Sequence, residues 1–492
     1  ANDGVIRMID TTTGVEEWAF MPQEMLSLQS KMMANINGKR IYGIDGTPTF
    51  WMHDINKDGV INTAQGDFVR MYIGMRAGGK NIYAFDISSP TTPKLMWVVN
   101  GSIAPFAGLA QTWSSPKPTN VTWGGALKTV LIFGGGFPGE DETLGTVVSG
   151  NAIFMVDAIT GSLLWSAGPA SSTANLKLTG MDYPIPSDLT FVDRSGDGTT
   201  DRIYVGDLGG QVWRIDLDMG TPGTGVGGRL AALANSSDPT ATHQFFYPPE
   251  VVNVKDSLYS SVENYDLVAI VSGKRTNPLN TTIHDQFYVL RDRAITGLQD
   301  GGGGNAKLDD PTKTPVTNFY TLGLSDLYNA TSNVIQQGSS TAQIQAMQEL
   351  KDKKGLYIDL METNGTFVGE KGLSSPVIIG GKVFFTTYTP PQDVGNVSGC
   401  TVSGDGTSKL YALDMLTGGA GYNYSKSGSP DYTQADRSKL LRQGVSSDLV
   451  PMFLQGNGTS GGRIGLLSNS LDTLQDDLGI NLRLTPVFWL QD

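Results

Sequence analysis

One element recurs along the 492-residue chain and sets what it can fold into: a short apolar strand ending in aspartate, commonly followed by a Thr-Gly turn and a tryptophan. It stands at residues 5–10 (VIRMID) with Thr13, Gly14 and Trp18, and at 82–86 (IYAFD) with Trp97 beyond a longer, Pro-containing turn. It returns at 153–157 (IFMVD) with Thr160, Gly161 and Trp165, at 212–216 (VWRID), and at 287–292 (FYVLRD). A weak sixth copy is 356–359 (LYID), and a clear seventh is 410–414 (LYALD) with Thr417 and Gly418. Successive aspartates lie between 55 residues (Asp359 to Asp414) and 76 residues (Asp10 to Asp86) apart, too uneven for a strict solenoid. A bare four-stranded propeller blade needs only about 40–50 residues, so the surplus reads as insertions between strands. A single blade cannot bury both faces, and radial stacking supplies the missing core and leaves few open edges. The reading is an all-β chain: a modified seven-bladed β-propeller with loop insertions and a short inserted helix. The strand-end aspartates are read as structural, because a carboxylate there can accept the backbone N–H groups of the following turn.

Composition agrees and excludes several classes. The 62 glycines, with Thr, Val, Ile, Tyr and Trp in short runs between them, mark strands joined by tight turns. A net charge of −13 leaves no basic run to neutralise phosphates, so no nucleic-acid partner is expected. Cys400 is the only cysteine, which rules out an internal disulfide and a cysteine zinc cluster. His53, His243 and His284 lack the spacing of a metalloprotease. No stretch approaches twenty apolar residues, so no transmembrane helix is expected, and no charged-then-apolar signal opens the chain. The expectation is one propeller domain over 1–492, cut from a longer parent. An insertion at about 294–355 carries a helix over 341–353, with Ile344, Met347 and Leu350 on the face docked against the propeller. Residues 483–492 are the expected ring-closing strand. Gly134, Gly135 and Gly136 have no following helix or GK[ST] element, so they read as a bulge or a close strand contact rather than a phosphate loop.

Two loops carry cation chemistry. In 193–201 (DRSGDGTTD), Asp193, Ser195, Asp197 and Asp201 offer side-chain oxygens at positions one, three, five and nine, and Thr199 its backbone carbonyl. Gly198, at position six, permits the positive φ that wraps the loop. Three carboxylates roughly balance a divalent hard cation, and calcium is the cofactor expected. A second loop, 53–62 (HDINKDGVIN), imitates the start of an EF-hand, matching at positions one, three, five, six and eight through Asp54, Asn56, Asp58, Gly59 and Ile61. Its twelfth position is Gln65, which cannot supply a bidentate carboxylate; Asp67 lies two residues on. It is read as either a weak calcium site or a solvated turn.

An ordered series of segments resembles the C-terminal propeller of the PilC/PilY family of type IV pilus tip-associated proteins. The series runs from ANDGVIRMIDTTTGVEEWAFMP through IYGIDGTPTF, HDINKDGV, GDFVRMYIGMRAGGKNIYAFDIS, QTWSSPKP, LIFGGGF and FMVDAITGSLLW. It continues with SDLTFVDRSGDGTTDRIYVGDLGGQVWRIDL, SGKRTNPLN, DQFYVLRD, SSPVIIGGKVFFTTYTP and KLYALDMLTG. The resemblance implies a non-enzymatic, calcium-binding module that supports the balance of pilus extension and retraction, twitching motility and adhesion to host cells. It implies a calcium site on Asp193, Ser195, Asp197, Thr199 and Asp201. It also implies minor pilins or the pilus tip as partners, a host-cell surface as a further one, and a place at the pilus tip or cell surface, outer-membrane-associated or periplasmic. Ser195 stands where relatives often carry Asn or Asp. An RGD tripeptide is absent, so integrin recognition does not carry over, and the family's N-terminal adhesive portion is missing from this chain.

Two readings compete. The strand-Asp-Thr-Gly-Trp element also resembles quinoprotein dehydrogenase blades, but the single cysteine and irregular repeat weigh against it. A carbohydrate-binding propeller is the other, although no distinctive aromatic-acidic sugar constellation stands out.

Overall fold

The computed structural model describes residues 2–34, 36, 41–139, 149–217, 225–235, 237–256, 258, 263–294, 321–362, 364–392, 404–424, 432–454 and 463–467. The chain divides into two compact units: Ala1–Ala232 with Thr296–Thr321, and Leu233–Ile295 with Leu322–Asp492. The expected ring-closing strand at 483–492, Cys400, and 295–320 of the expected insertion lie outside the described residues.

The first unit begins with a hairpin, Ile6–Ile9 with Glu16–Phe20. A four-stranded antiparallel sheet follows, Thr49–His53, Phe68–Gly74, Ile82–Asp86 and Lys94–Val99 in chain order. The next sheet runs Lys117–Trp123, Ala126–Gly134, Ile153–Asp157 and Leu163–Pro169, with Leu176–Leu178 added in parallel. The last is Thr190–Val192, Arg202–Gly206, Gln211–Asp216 and Val226–Ala232. These last three are mainly sequential up-and-down meanders, the form a propeller blade takes.

The second unit opens with a sheet ordered Glu250–Asp256, Glu263–Val271, Gln286–Asp292, Gly355–Asp359 and Tyr328–Asn329. A second sheet contains Lys371–Gly372, Lys382–Thr389, Thr407–Asp414 and Ser438–Gln443, with Val377–Ile379 also on Lys382–Thr389. A hairpin of Val450–Leu454 and Arg463–Leu467 completes the described strands. The sixth sequence copy is therefore not a blade of its own. Its strand pairs antiparallel with the fifth copy, Phe287 opposite Ile358 and Val289 opposite Leu356.

Asp10, Asp157 and Asp414 act as the turn chemistry requires, whereas Asp216 is bound by Arg202 and Arg214 and Asp359 by the Gln286 and Thr331 side chains. Asp10 Oδ1 accepts the N–H groups of Thr12 and Thr13 at 2.8 and 2.7 Å. Asp157 Oδ1 accepts those of Ile159 and Thr160 at 2.8 and 3.0 Å, and Asp414 Oδ1 those of Leu416 and Thr417 at 3.1 and 2.9 Å. In each turn the glycine N–H also donates to the aspartate carbonyl: Gly14 to Asp10, Gly161 to Asp157, Gly418 to Asp414. The triple glycine is a close strand contact, as its surroundings demand. A Cβ on Gly135 would lie 2.4 Å from the Gly150 carbonyl oxygen, and one on Gly136 would lie 2.0 Å from that of Gln111.

Cores form where sheets of one unit face each other. In the first unit Val130, Ile132, Met155 and Trp165 pack with Ile203, Val205, Trp213 and Ile215, joining the two last sheets. In the second, Phe287, Phe385 and Tyr411 stack in file, with centroids 4.5 and 4.8 Å apart. The expected helix is Ser340–Asp352, with the Ser339 side chain accepting the Ala342 N–H at its start. Its inward face differs from expectation: Ala346 and Leu350 are buried and Met347 packs beside them, while Ile344 is 71 % exposed. Leu350 and Ala346 lie four apart on one stripe, and Ile344 falls off its edge. Among the described residues, no helix is long and apolar enough to cross a membrane.

Candidate functional site

The 193–201 loop joins Thr190–Val192 to Arg202–Gly206, two paired strands whose register sets Val192 opposite Arg202. The strands hold it by alternation. Ile203, Val205 and Ile215 face the apolar core, so Arg202, Tyr204, Arg214 and Asp216 share the other face. There Arg202 and Arg214, both buried, close on Asp216: Arg202 Nε donates to Oδ1 at 2.7 Å and Arg214 Nη2 to Oδ2 at 2.8 Å. Burial alone would raise the Asp216 pKa, but the Arg214 and Arg202 guanidiniums outweigh it and hold the carboxyl below the usual range. At the far end, Asp207 is buried and accepts Gly209 N–H, Gln211 N–H and Trp213 Nε1–H. The strand pair under the loop is thus braced by buried hydrogen bonds at both ends.

All five predicted residues fall on this one loop, and its carboxylates organise the backbone. Asp193 accepts Gly196 N–H on Oδ1 at 2.7 Å and Gly198 N–H on Oδ2 at 2.8 Å. Asp201 Oδ2 accepts the N–H groups of Arg194 and Ser195 at 2.7 and 2.8 Å. Asp197 Oδ1 accepts Thr199 Oγ1–H and N–H at 2.6 and 2.9 Å, bonds that hold its carboxyl below the usual range. Ser195 Oγ donates to Asp193 Oδ1 at 3.3 Å. Gly196 and Gly198 carry φ of +75° and +85°, the left-handed conformation the wrap needs. Among the described residues no three His, Cys, Asp or Glu side chains gather as a metal-holding cluster; here the carboxylates turn onto loop amides.

The residues nevertheless fit a hard cation. The donor set is all oxygen, the chemistry a hard cation takes, and Asp193 Oδ1, Asp197 Oδ1 and Asp201 Oδ2 each already accept two hydrogen bonds from the loop. Asp193, Ser195 and Asp197 are exposed, whereas Thr199 is buried against the scaffold.

The 54–67 loop repeats this architecture, a likeness the Gln65 mismatch concealed. Asp54 accepts Lys57 N–H on Oδ1 and Gly59 N–H on Oδ2, both at 2.8 Å, from residues three and five further on, as Asp193 accepts from Gly196 and Gly198. Asp58 Oδ1 accepts Val60 N–H at 2.7 Å, as Asp197 accepts Thr199 N–H. Lys57 and Gly59 have φ of +57° and +80°. Asp67 takes the part of Asp201, accepting Ile55 N–H and Asn62 N–H, each at 2.9 Å. The extra residues form a 3₁₀ turn, Thr63–Gln65, capped by Asn62.

With this geometry in view, the chain's relatives are informative. Residues 1–224 match the family described as the PilY1 beta-propeller domain. A type IV pilus biogenesis factor PilY1 homolog of Xylella fastidiosa is 24% identical over 440 residues, covering 85% of this chain and 26% of its own. The type IV pilus biogenesis factor PilY1 of Pseudomonas aeruginosa strain PAO1 is 25% identical over 455 residues, covering 85% of this chain and 34% of its own. The chain thus spans about a quarter to a third of the length of these curated relatives. The crystal structure of the Pseudomonas aeruginosa PilY1 C-terminal domain is similar in fold, with a TM-score of 0.59 at 19% identity across 95% of this chain and 90% of that chain.

Proposed function

We propose, from the resemblance to the PilC/PilY family that these relatives bear out, that this PilY1-type β-propeller is a calcium-binding module of a type IV pilus biogenesis factor. Its role is to support the balance of pilus extension and retraction, and with it twitching motility and adhesion to host cells. It acts by binding rather than by catalysis, at the pilus tip or cell envelope, with minor pilins as partners and a host surface as a further one. The finer architecture, a modified seven-bladed propeller, belongs to the same proposal.

One observation carries the reading. Asp193, Asp197 and Asp201 stand on a single glycine-wrapped loop, on a hydrogen-bonded strand pair, with an all-oxygen donor set. Calcium supplies positive charge that offsets the three carboxylates. Asp193, Ser195, Asp197 and Asp201 would hold it by side chains and Thr199 by its carbonyl. Ser195 is the weakest donor, being neutral and turned toward Asp193. Such a site can shift function only if two functional states of the protein bind the ion with different affinity.

The test uses the full-length protein in its own bacterium, with Asp197→Ala or Asp201→Ala. The expected result is twitching motility and adhesion that no longer respond to added calcium. Responses identical to wild type would reduce the loop to a structural turn.

A further inference from the structure

We propose that Thr200 couples occupancy of the Asp193 loop to closure of the seam between two sheets of the first unit. The inference rests on reading that loop as a calcium site, and goes beyond it by assigning where occupancy is felt. The loop has two halves. Asp193, Ser195, Gly196, Asp197 and Gly198 are exposed, whereas Thr199 and Thr200 are each only 6% exposed. Thr200 is not a ligand, yet it lies between two residues that would be, Thr199 and Asp201.

Thr200 faces the adjoining sheet. Its N–H donates to the Asn120 carbonyl at 2.8 Å, and its hydroxyl meets that of Thr119 at 2.6 Å. Both partners sit on Lys117–Trp123, the edge strand of the five-stranded sheet. Asn120 is itself held, since Thr129 Oγ1 donates to its Oδ1 at 2.9 Å. On its own sheet, Asp201 N–H donates to the Val192 carbonyl at 3.0 Å and Leu217 N–H to the Asp201 carbonyl at 2.8 Å. Any restraint on the Thr199 carbonyl and the Asp201 carboxylate therefore fixes Thr200 from both sides, and Thr200 transmits it to Asn120 and Thr119. With the carboxylates unbalanced, their mutual repulsion pulls on the same residues.

Coupling of this kind is reciprocal: the factor by which calcium tightens the seam is the factor by which a broken seam weakens calcium. The test therefore changes a residue that touches no ligand. Thr119→Val, made in the intact chain, removes the hydroxyl that meets Thr200 and keeps the shape. Calorimetric titration with calcium chloride is expected to show affinity lowered about threefold to tenfold, and Thr119→Ser, which keeps the hydroxyl, is expected to retain wild-type affinity. In the wild type, amide hydrogen exchange over residues 117–123 is expected to slow several-fold at saturating calcium, together with that of 193–201. Unchanged affinity in Thr119→Val, or slowing confined to 193–201, overturns the coupling while leaving the calcium site intact. Absence of calcium uptake by the wild type overturns the site, and the coupling with it.

Discussion

Asp67 Oδ1 accepts the backbone N–H of Ile55 at 2.9 Å, twelve residues back along the chain, and so closes its loop as Asp201 closes the other through Arg194. The two loops differ in length but share their bonding plan, which makes the closing carboxylate the common part. Asp67→Ala removes the acceptor for Ile55 and Asn62 together. The expected outcome is hydrogen exchange over 55–62 faster by about tenfold or more, with the sheet strands Phe68–Gly74 and Ile82–Asp86 unaffected. Mass spectrometry of the exchanged peptides checks it.

Asp216 is the counter-charge for two buried guanidiniums, Arg202 and Arg214. Removing it takes away the carboxylate that both guanidiniums share, so Asp216→Ala is expected to cost about 3–5 kcal/mol in urea unfolding. The pH dependence has a definite sign. Because the folded-state pKa lies below the unfolded value, this stabilisation is present above about pH 4 and is lost as pH falls through the folded pKa. The acid limb of the wild-type stability curve is therefore expected to flatten in the variant.

Asp285 shows the opposite sign. It is buried with one hydroxyl donor, Ser272, at 2.7 Å, and its second oxygen has no hydrogen-bond partner. Burial pushes its pKa up to about 7, against the bond from Ser272 and the nearby Lys371 charge. The folded state holds a proton there that the unfolded chain has lost, so stability from this group falls as pH rises from about 4 to about 7. Asp285→Asn keeps an oxygen for Ser272 and cannot ionise. Thermal unfolding of the variant is expected to gain on wild type at pH 8 and not at pH 5.

Much of this was legible in the residues, and the failures have physical causes. Asp10, Asp157 and Asp414 could be read as turn anchors because their partners lie two and three residues away. The Asp193 loop was readable for the same reason, its bonds all being local. Asp216 was not, since its partner Arg202 depends on strand register rather than on spacing. The sixth repeat copy, 356–359, has the pattern of a blade strand but spends it pairing with the fifth, a choice made by long-range contact. Asp67 stands two residues past the twelfth position, and its closing role is hidden from the sequence because a 3₁₀ turn takes up residues that a fixed twelve-residue template does not allow for. Ile344 matched helical periodicity with Leu350, yet Ala346 holds the buried position. A small residue there lets the helix sit close, and composition does not reveal it.

Calcium binding itself is the central claim, and calorimetric titration of the wild type against Asp197→Ala tests it most directly. Asp197 is the choice because its carboxylate is exposed and its hydrogen bonds stay within the loop, to Thr199 and Ser195. Losing it leaves the strand pair and the Asp193 and Asp201 bonds in place. The account predicts saturable calcium uptake by the wild type and affinity at least about tenfold weaker in the variant. Equal titration curves for the two proteins, or no heat of binding in the wild type, would contradict it.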